Sequence, residues 1–127
     1  MTVRFSDVQN ILDAILARNG SPDPQPHGVF WRQSGNYEQD YRTFTTGNVP
    51  NMGIPIMNTT KSQELTSNFY VILTNKYGLE KENILRMPSF GPFITDSGYQ
   101  ATVNGTVMTG REIQDALAAW LSSGFPK

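Results

Sequence analysis

Chemistry has few residues to start from in this 127-residue chain: there is one histidine, His27, and no cysteine. The missing thiols remove disulfides, thiolate nucleophiles and cysteine-ligated zinc, and a single imidazole does not make a metal cluster. No local Ser-His-Asp arrangement, Gly-x-Gly-x-x-Gly stretch or phosphate-cradling P-loop is recognisable. Glu38, Asp40 and Asp96 stand in loop-rich sequence. Paired acid–base carboxylates and ordinary solvated acids are both open readings there, the second being the commoner one. No catalytic residue is assigned, no metal site is expected, and the chain is read as non-enzymatic.

What remains is binding chemistry. Trp31, Tyr37, Tyr41 and Phe44 interleave with Arg32, Asn36, Gln39 and Arg42, a mixture of flat apolar surface and adaptable donors that interfaces and ligand-binding loops use. Trp31, Arg32, Tyr37, Tyr41 and Phe44 are therefore a candidate patch for a protein partner, a second copy or a small ligand. The competing reading is that the aromatics pack the core, because a loop-rich chain has few other apolar residues to bury.

Several elements must position these residues. Ser6 with Gln9 forms a capping-box signature, and Val8, Ile11, Leu12, Ile15 and Leu16 repeat at helical spacing up to Gly20, which predicts a helix over 7–19. Three prolines over 21–26 forbid regular structure before His27-Gly28-Val29-Phe30-Trp31. Residues 37–44 suit one short helix. Gly53-Ile54-Pro55-Ile56-Met57 is apolar and extended, with Pro55 confining it to an edge or a buried crossing. Thr60 with Gln63 is a second capping box, followed by the stripe Leu65, Phe69, Ile72, Leu73 and Tyr77, closed by Gly78. That predicts a second helix over 61–77. Asn104-Gly105 between β-prone residues predicts a type I′ hairpin over 99–108. Thr109 with Glu112, the stripe Ile113, Ala116, Leu117, Trp120 and Leu121, and the stop at Gly124 predict the last helix, 110–122.

Eleven acidic and ten basic residues leave a net charge of −1 with no block of one sign. Neither nucleic acid nor a membrane surface is an expected partner. The length fits one domain, 1–127, and no apolar run or amino-terminal targeting pattern appears, so a soluble, cytoplasmic chain is expected. The Asn-x-Ser/Thr triplets at Asn19, Asn58 and Asn104 are read as turn chemistry.

A first helix ending in a loop with His27-Gly28, a second helix, Arg86-Met87-Pro88, and a last helix reading Glu112-Ile113-x-x-Ala116-Leu117-Ala118-Ala119-Trp120-Leu121 before Gly124-x-Pro126 resembles class I cytochrome c. The resemblance covers nearly the whole chain and implies a mainly α fold, three helices in an orthogonal cytochrome-c-like arrangement, here with a small β-hairpin before the C-terminal helix. In that family the histidine and the methionine are the axial haem ligands, which would carry over to His27 and Met87. The departure is that Asp23 and Pro26 occupy the cysteine positions, so thioether-bound haem is excluded. The chain is closer to small bacterial proteins of cytochrome-c-like sequence that lack the cysteines but keep His-Gly-x-Phe-Trp-Arg and Arg-Met-Pro stretches. Imidazole and thioether still make a known low-spin ligand pair, so noncovalent haem on His27 and Met87 is one reading. The preferred one is a haem-free interior, with His27 satisfying buried backbone groups and Met87 filling a gap. The additional ribbon at 99–108 is a candidate contact with another subunit. The expectation is a cofactor-free interaction module, against the alternatives of an electron carrier or a small-ligand binder acting through residues 30–44.

Overall fold

The computed structural model describes residues 3–19, 30–49, 53–74 and 92–127. They form α1 (Phe5–Asn19), α2 (Tyr37–Thr46), a 3-10 turn (Glu64–Thr66), α3 (Asn68–Thr74), the strands β1 (Gln100–Val103) and β2 (Thr106–Thr109), and α4 (Gly110–Ser122). The fold is mainly helical with one two-stranded antiparallel sheet among the described residues. None of the described helices is long and apolar enough to cross a membrane.

The apolar stripes of α1 and α4 read from the sequence are the buried faces. Phe5, Val8, Ile11, Leu12 and Ile15 of α1 meet a core that includes Ile113, Leu117, Trp120 and Leu121 of α4. The start of α1 is also tied to the end of the chain, since the Phe5 N–H donates to the Pro126 carbonyl at 2.9 Å. Trp120 donates its indole N–H to that same oxygen, also at 2.9 Å.

Helix α4 follows its local signals closely. Thr109 accepts from the Glu112 N–H at 3.2 Å, and Glu112 accepts from the Thr109 N–H at 3.0 Å, which completes the capping box. At the other end Gly124 takes φ 89°, and the Phe125 N–H reaches back to the Trp120 carbonyl at 2.9 Å. This is the long bond of a Schellman stop, with the accompanying Trp120–Phe125 ring contact.

Two expected helix starts are displaced. Helix α1 begins at Phe5, because Asp7 does the capping by accepting the Arg4 N–H at 2.8 Å. Gln9, expected in a capping box, is buried and donates instead to the Trp31 carbonyl at 2.8 Å. The helix expected from residue 61 begins at Asn68. Asn58 organises the stretch before it, accepting from the Thr60 N–H and donating to Thr66 Oγ1, both at 3.0 Å. Ser67 Oγ accepts the Asn58 N–H at 2.9 Å, and Ser62 sits at φ 72°. Such side-chain bonds give the backbone an alternative to the helical ladder, so Leu65 is exposed while Phe69, Ile72 and Leu73 are buried. Tyr77, Gly78 and the expected end of that helix lie outside the described residues.

Helix α2 extends the expected 37–44 segment to Thr46, with Asn36 as its N-cap. The 53–57 stretch pairs back on the end of α2 through Val49 N–H to Ile54 O (2.8 Å) and Ile56 N–H to Gly47 O (3.0 Å). Pro55 sits at the bridge with Asn48, and Ile56 and Met57 turn inward.

Candidate interaction edge

The ribbon is phased by its turn. Asn104 and Gly105 have φ of 48° and 82°, the left-handed pair that a type I′ turn demands. Register follows: Gln100 faces Thr109, Ala101 faces Met108, Thr102 faces Val107 and Val103 faces Thr106. In an antiparallel ladder, pairs that exchange hydrogen bonds alternate with pairs whose N–H and C=O point outward. The two residues flanking the loop, Val103 and Thr106, exchange bonds, so Thr102 and Val107 turn their backbone groups to the two outer edges. Two contacts agree with this phase. Gly110 N–H bonds Tyr99 O at 3.0 Å one step beyond the sheet, and Gln100 O accepts from Arg18 Nε at 3.2 Å on the outer side.

On the β2 edge the Thr109 N–H is already taken by Glu112. Among the described residues Val107 therefore holds a free donor and a free acceptor, and it is 59% exposed, more than the other exposed large apolar residues described, Tyr37 and Leu65. No charged residue stands between Tyr99 and Thr109. This matters because exposed strand edges are ordinarily guarded by charges or proline. Val107 also walls a hollow of about 370 Å³ with Ala14, Ala17 and Ala101. Beneath the ribbon, Tyr99 is buried, and among the described residues its hydroxyl has no hydrogen-bond partner. Burial raises the Tyr99 pKa above its ordinary value, with the Arg18 guanidinium, 5.8 Å above the ring, opposing the shift.

The aromatic loop is placed differently from an exposed patch. Trp31 and Phe44 are 1% and 0% exposed and belong to the core. Helix α1 holds the loop: Trp31 Nε1 donates to Asp13 Oδ1 at 2.7 Å, and Arg32 pairs with the other oxygen of Asp13 at 2.8 Å. Tyr41 is half-buried and donates to the Phe125 carbonyl at 2.6 Å; burial raises its pKa, with Lys127 opposing and Tyr37 adding. Arg32 and Tyr37 reach solvent. The physical reason is area: large rings gain most from leaving water, and Phe5, Phe69 and Trp120 offer ring faces and edges for Phe44 to pack against.

The three weighed carboxylates are engaged separately. Asp40 is buried and accepts from both the N–H and the hydroxyl of Ser34, at 2.8 and 2.7 Å. Glu38 pairs with Lys127 at 2.7 Å, and Asp96 accepts the Phe93 N–H at 2.8 Å. Among the described residues no group of three His, Cys, Asp or Glu is placed to hold a metal ion. His27 and Met87 lie outside the described residues. The Gln9 and Asp13 anchors carry no local signature, whereas the outward phase of Val107 is readable by counting from the Asn-Gly turn.

The site is thus an uncharged edge of a small ribbon on a mainly helical chain, unpaired among the described residues. No known protein family, curated protein or solved structure matches this sequence.

Proposed function

We propose that the chain is a non-enzymatic, haem-free interaction module of cytochrome-c-like arrangement, and that it associates with a second copy of itself by antiparallel pairing of β2 with β2. The observation that carries this reading is the Val107 edge, which among the described residues has one free donor and one free acceptor. Around a twofold axis at Val107 those groups satisfy each other reciprocally. No like charges meet across the axis, and the two exposed valine side chains come to lie side by side. A four-residue strand buries much less than a standard interface, so the dimer is weak, with Kd on the order of 0.1 mM.

Sedimentation velocity over a concentration series tests it with two variants. Val107→Pro removes the outward N–H without breaking a ladder bond, since proline is tolerated at such an edge position. That variant is expected to stay monomeric, while Val107→Thr, which keeps the edge groups, retains concentration-dependent association. A monomeric wild type at millimolar concentration, or a Val107→Pro variant that dimerises as the wild type does, contradicts the pairing.

The haem-free part is supported by the ring packing between the helices. Phe44 lies 5.3 Å from Phe5, 4.9 Å from Phe69 and 5.9 Å from Trp120 between ring centroids. Added haemin is expected to give only broad bands that do not depend on Met87. Sharp low-spin bands lost in both His27→Ala and Met87→Ala would favour the electron-carrier alternative instead.

A further inference from the structure

The hairpin tip carries a second property, independent of the pairing reading. We propose that Asn104 is a spontaneous modification site, converting to aspartate and isoaspartate through attack by the main-chain nitrogen of Gly105. The step balances without a co-reactant other than water. The Gly105 amide nitrogen gives up its proton and forms a bond to Asn104 Cγ, the Cγ–Nδ2 bond breaks, and the departing nitrogen leaves as ammonia with that proton. The resulting five-membered imide is opened by water at either carbonyl. Cleavage of the new bond yields aspartate, and cleavage of the original peptide bond yields isoaspartate.

The structure singles out this asparagine. Asn104 and Gly105 are both exposed, and a Cβ built on Gly105 would meet nothing within 4 Å. Gly105 therefore brings no side chain to shield the attacking nitrogen, and the space where one would sit is open. It is also outside the ladder, whose last bonded pair is Val103 and Thr106, so its deprotonation costs no strand bond. Among the described residues no hydrogen bond holds the Asn104 side-chain amide.

Other asparagines contrast with it. Asn58 Nδ2 donates to Thr66 at 3.0 Å, and Asn68 Nδ2 donates to the Pro55 carbonyl at 2.7 Å. Asn36 Oδ1 caps α2 at Gln39, and Asn10 Oδ1 accepts from Arg32. Each of these four precedes a residue with a side chain, Thr59, Phe69, Tyr37 and Ile11, which shields the attacking nitrogen. The cyclisation needs the turn to open briefly, and the end of a two-stranded ribbon opens at low local cost.

The two products differ in consequence. Aspartate keeps the turn, because Asp-Gly suits type I′ as Asn-Gly does, and adds a negative charge at the tip. Isoaspartate inserts a methylene into the main chain, so the two-residue loop no longer spans Val103 and Thr106 and the ribbon loses its register.

The test is incubation of the purified protein at neutral and mildly alkaline pH, followed by peptide mapping with fragmentation that separates the two isomers. The expected result is a one-dalton gain at Asn104 that appears as two isomers, speeds up with pH and outpaces the gain at Asn10, Asn36, Asn48, Asn58 and Asn68. Mapping also resolves Asn104 from Asn19, which likewise precedes a glycine. The same chain in concentrated urea sets the unrestrained rate, and Asn104→Asp should show no mass gain in that peptide. Conversion at Asn104 in urea but none in the folded protein would show that the turn locks the amide and would overturn the proposal. Equal rates at Asn10, Asn36, Asn48, Asn58 and Asn68 would overturn it too.

Discussion

Phe44→Ala should lower the unfolding free energy by about 3–5 kcal/mol, the range for deleting a buried aromatic ring. Its ring is 0% exposed and is the hub of the interior. It touches Phe5 of α1, Phe30 of the loop, Phe69 of α3 and Trp120 of α4. Truncation removes the transfer gain of the ring and leaves a void between four elements that cannot all close on it. Edge-to-face geometry with Phe69 and Trp120 is lost as well. Urea titration followed by tryptophan fluorescence reads the effect, because Trp31 and Trp120 are both in the core. Phe44→Leu, which refills part of the space, should fall between the wild type and the alanine variant. An alanine variant within about 1 kcal/mol of the wild type would mean that Phe44 is not the hub described.

The second large effect is expected at Gly110, the first residue of α4. Alanine is the better helix former by about 1 kcal/mol, so propensity alone predicts a gain. Space reverses the sign: a Cβ at this position would lie 1.9 Å from the Ile94 carbonyl oxygen and 2.9 Å from its carbon. Both are main-chain atoms and cannot rotate away. Relief requires the start of α4 to move off the 92–98 segment. That movement endangers the Gly110 N–H bond to Tyr99 and the Gln114 bond to the Ile94 carbonyl, each at 3.0 Å. Gly110→Ala should therefore cost about 3 kcal/mol, the upper part of the overpacking range, with a lower thermal midpoint. Because Gly110 directly follows β2, hydrogen exchange should show weakened protection in the ribbon too. A variant as stable as the wild type would show that the Ile94 carbonyl is free to shift.

The core position of the aromatic loop has a consequence for binding. Trp31 and Phe44 are spent on the interior, and the Asp13–Arg32 pair fixes the loop to α1. Substituting either ring is therefore expected to act through stability. Arg32 and Tyr37 are the members of that group from which a surface effect can be separated.

Read along the chain, the elements that the sequence alone determined are those whose causes lie within a few residues of each other. Helix α4 is one, since Thr109 and Glu112 cap each other and Gly124 supplies the left-handed stop. The ribbon is another: Asn-Gly sets the turn, the turn sets the phase, and the phase turns Val107 outward. The inward faces of α1 and α4 follow from helical spacing in the same way. Tertiary structure decided the rest, through contacts that no local window contains. Gln9 left its capping role for the Trp31 carbonyl, 22 positions away. The start of α3 moved to Asn68 because Asn58 and Ser67, nine positions apart, bond to each other. Trp31 and Phe44 went inside because neighbouring helices offered rings to pack against, and side-chain type alone reads the same for a core ring as for a binding ring. Short-range hydrogen bonds and turn angles are carried by neighbouring residues, whereas burial depends on which distant surfaces arrive, and those exist only once the chain has folded.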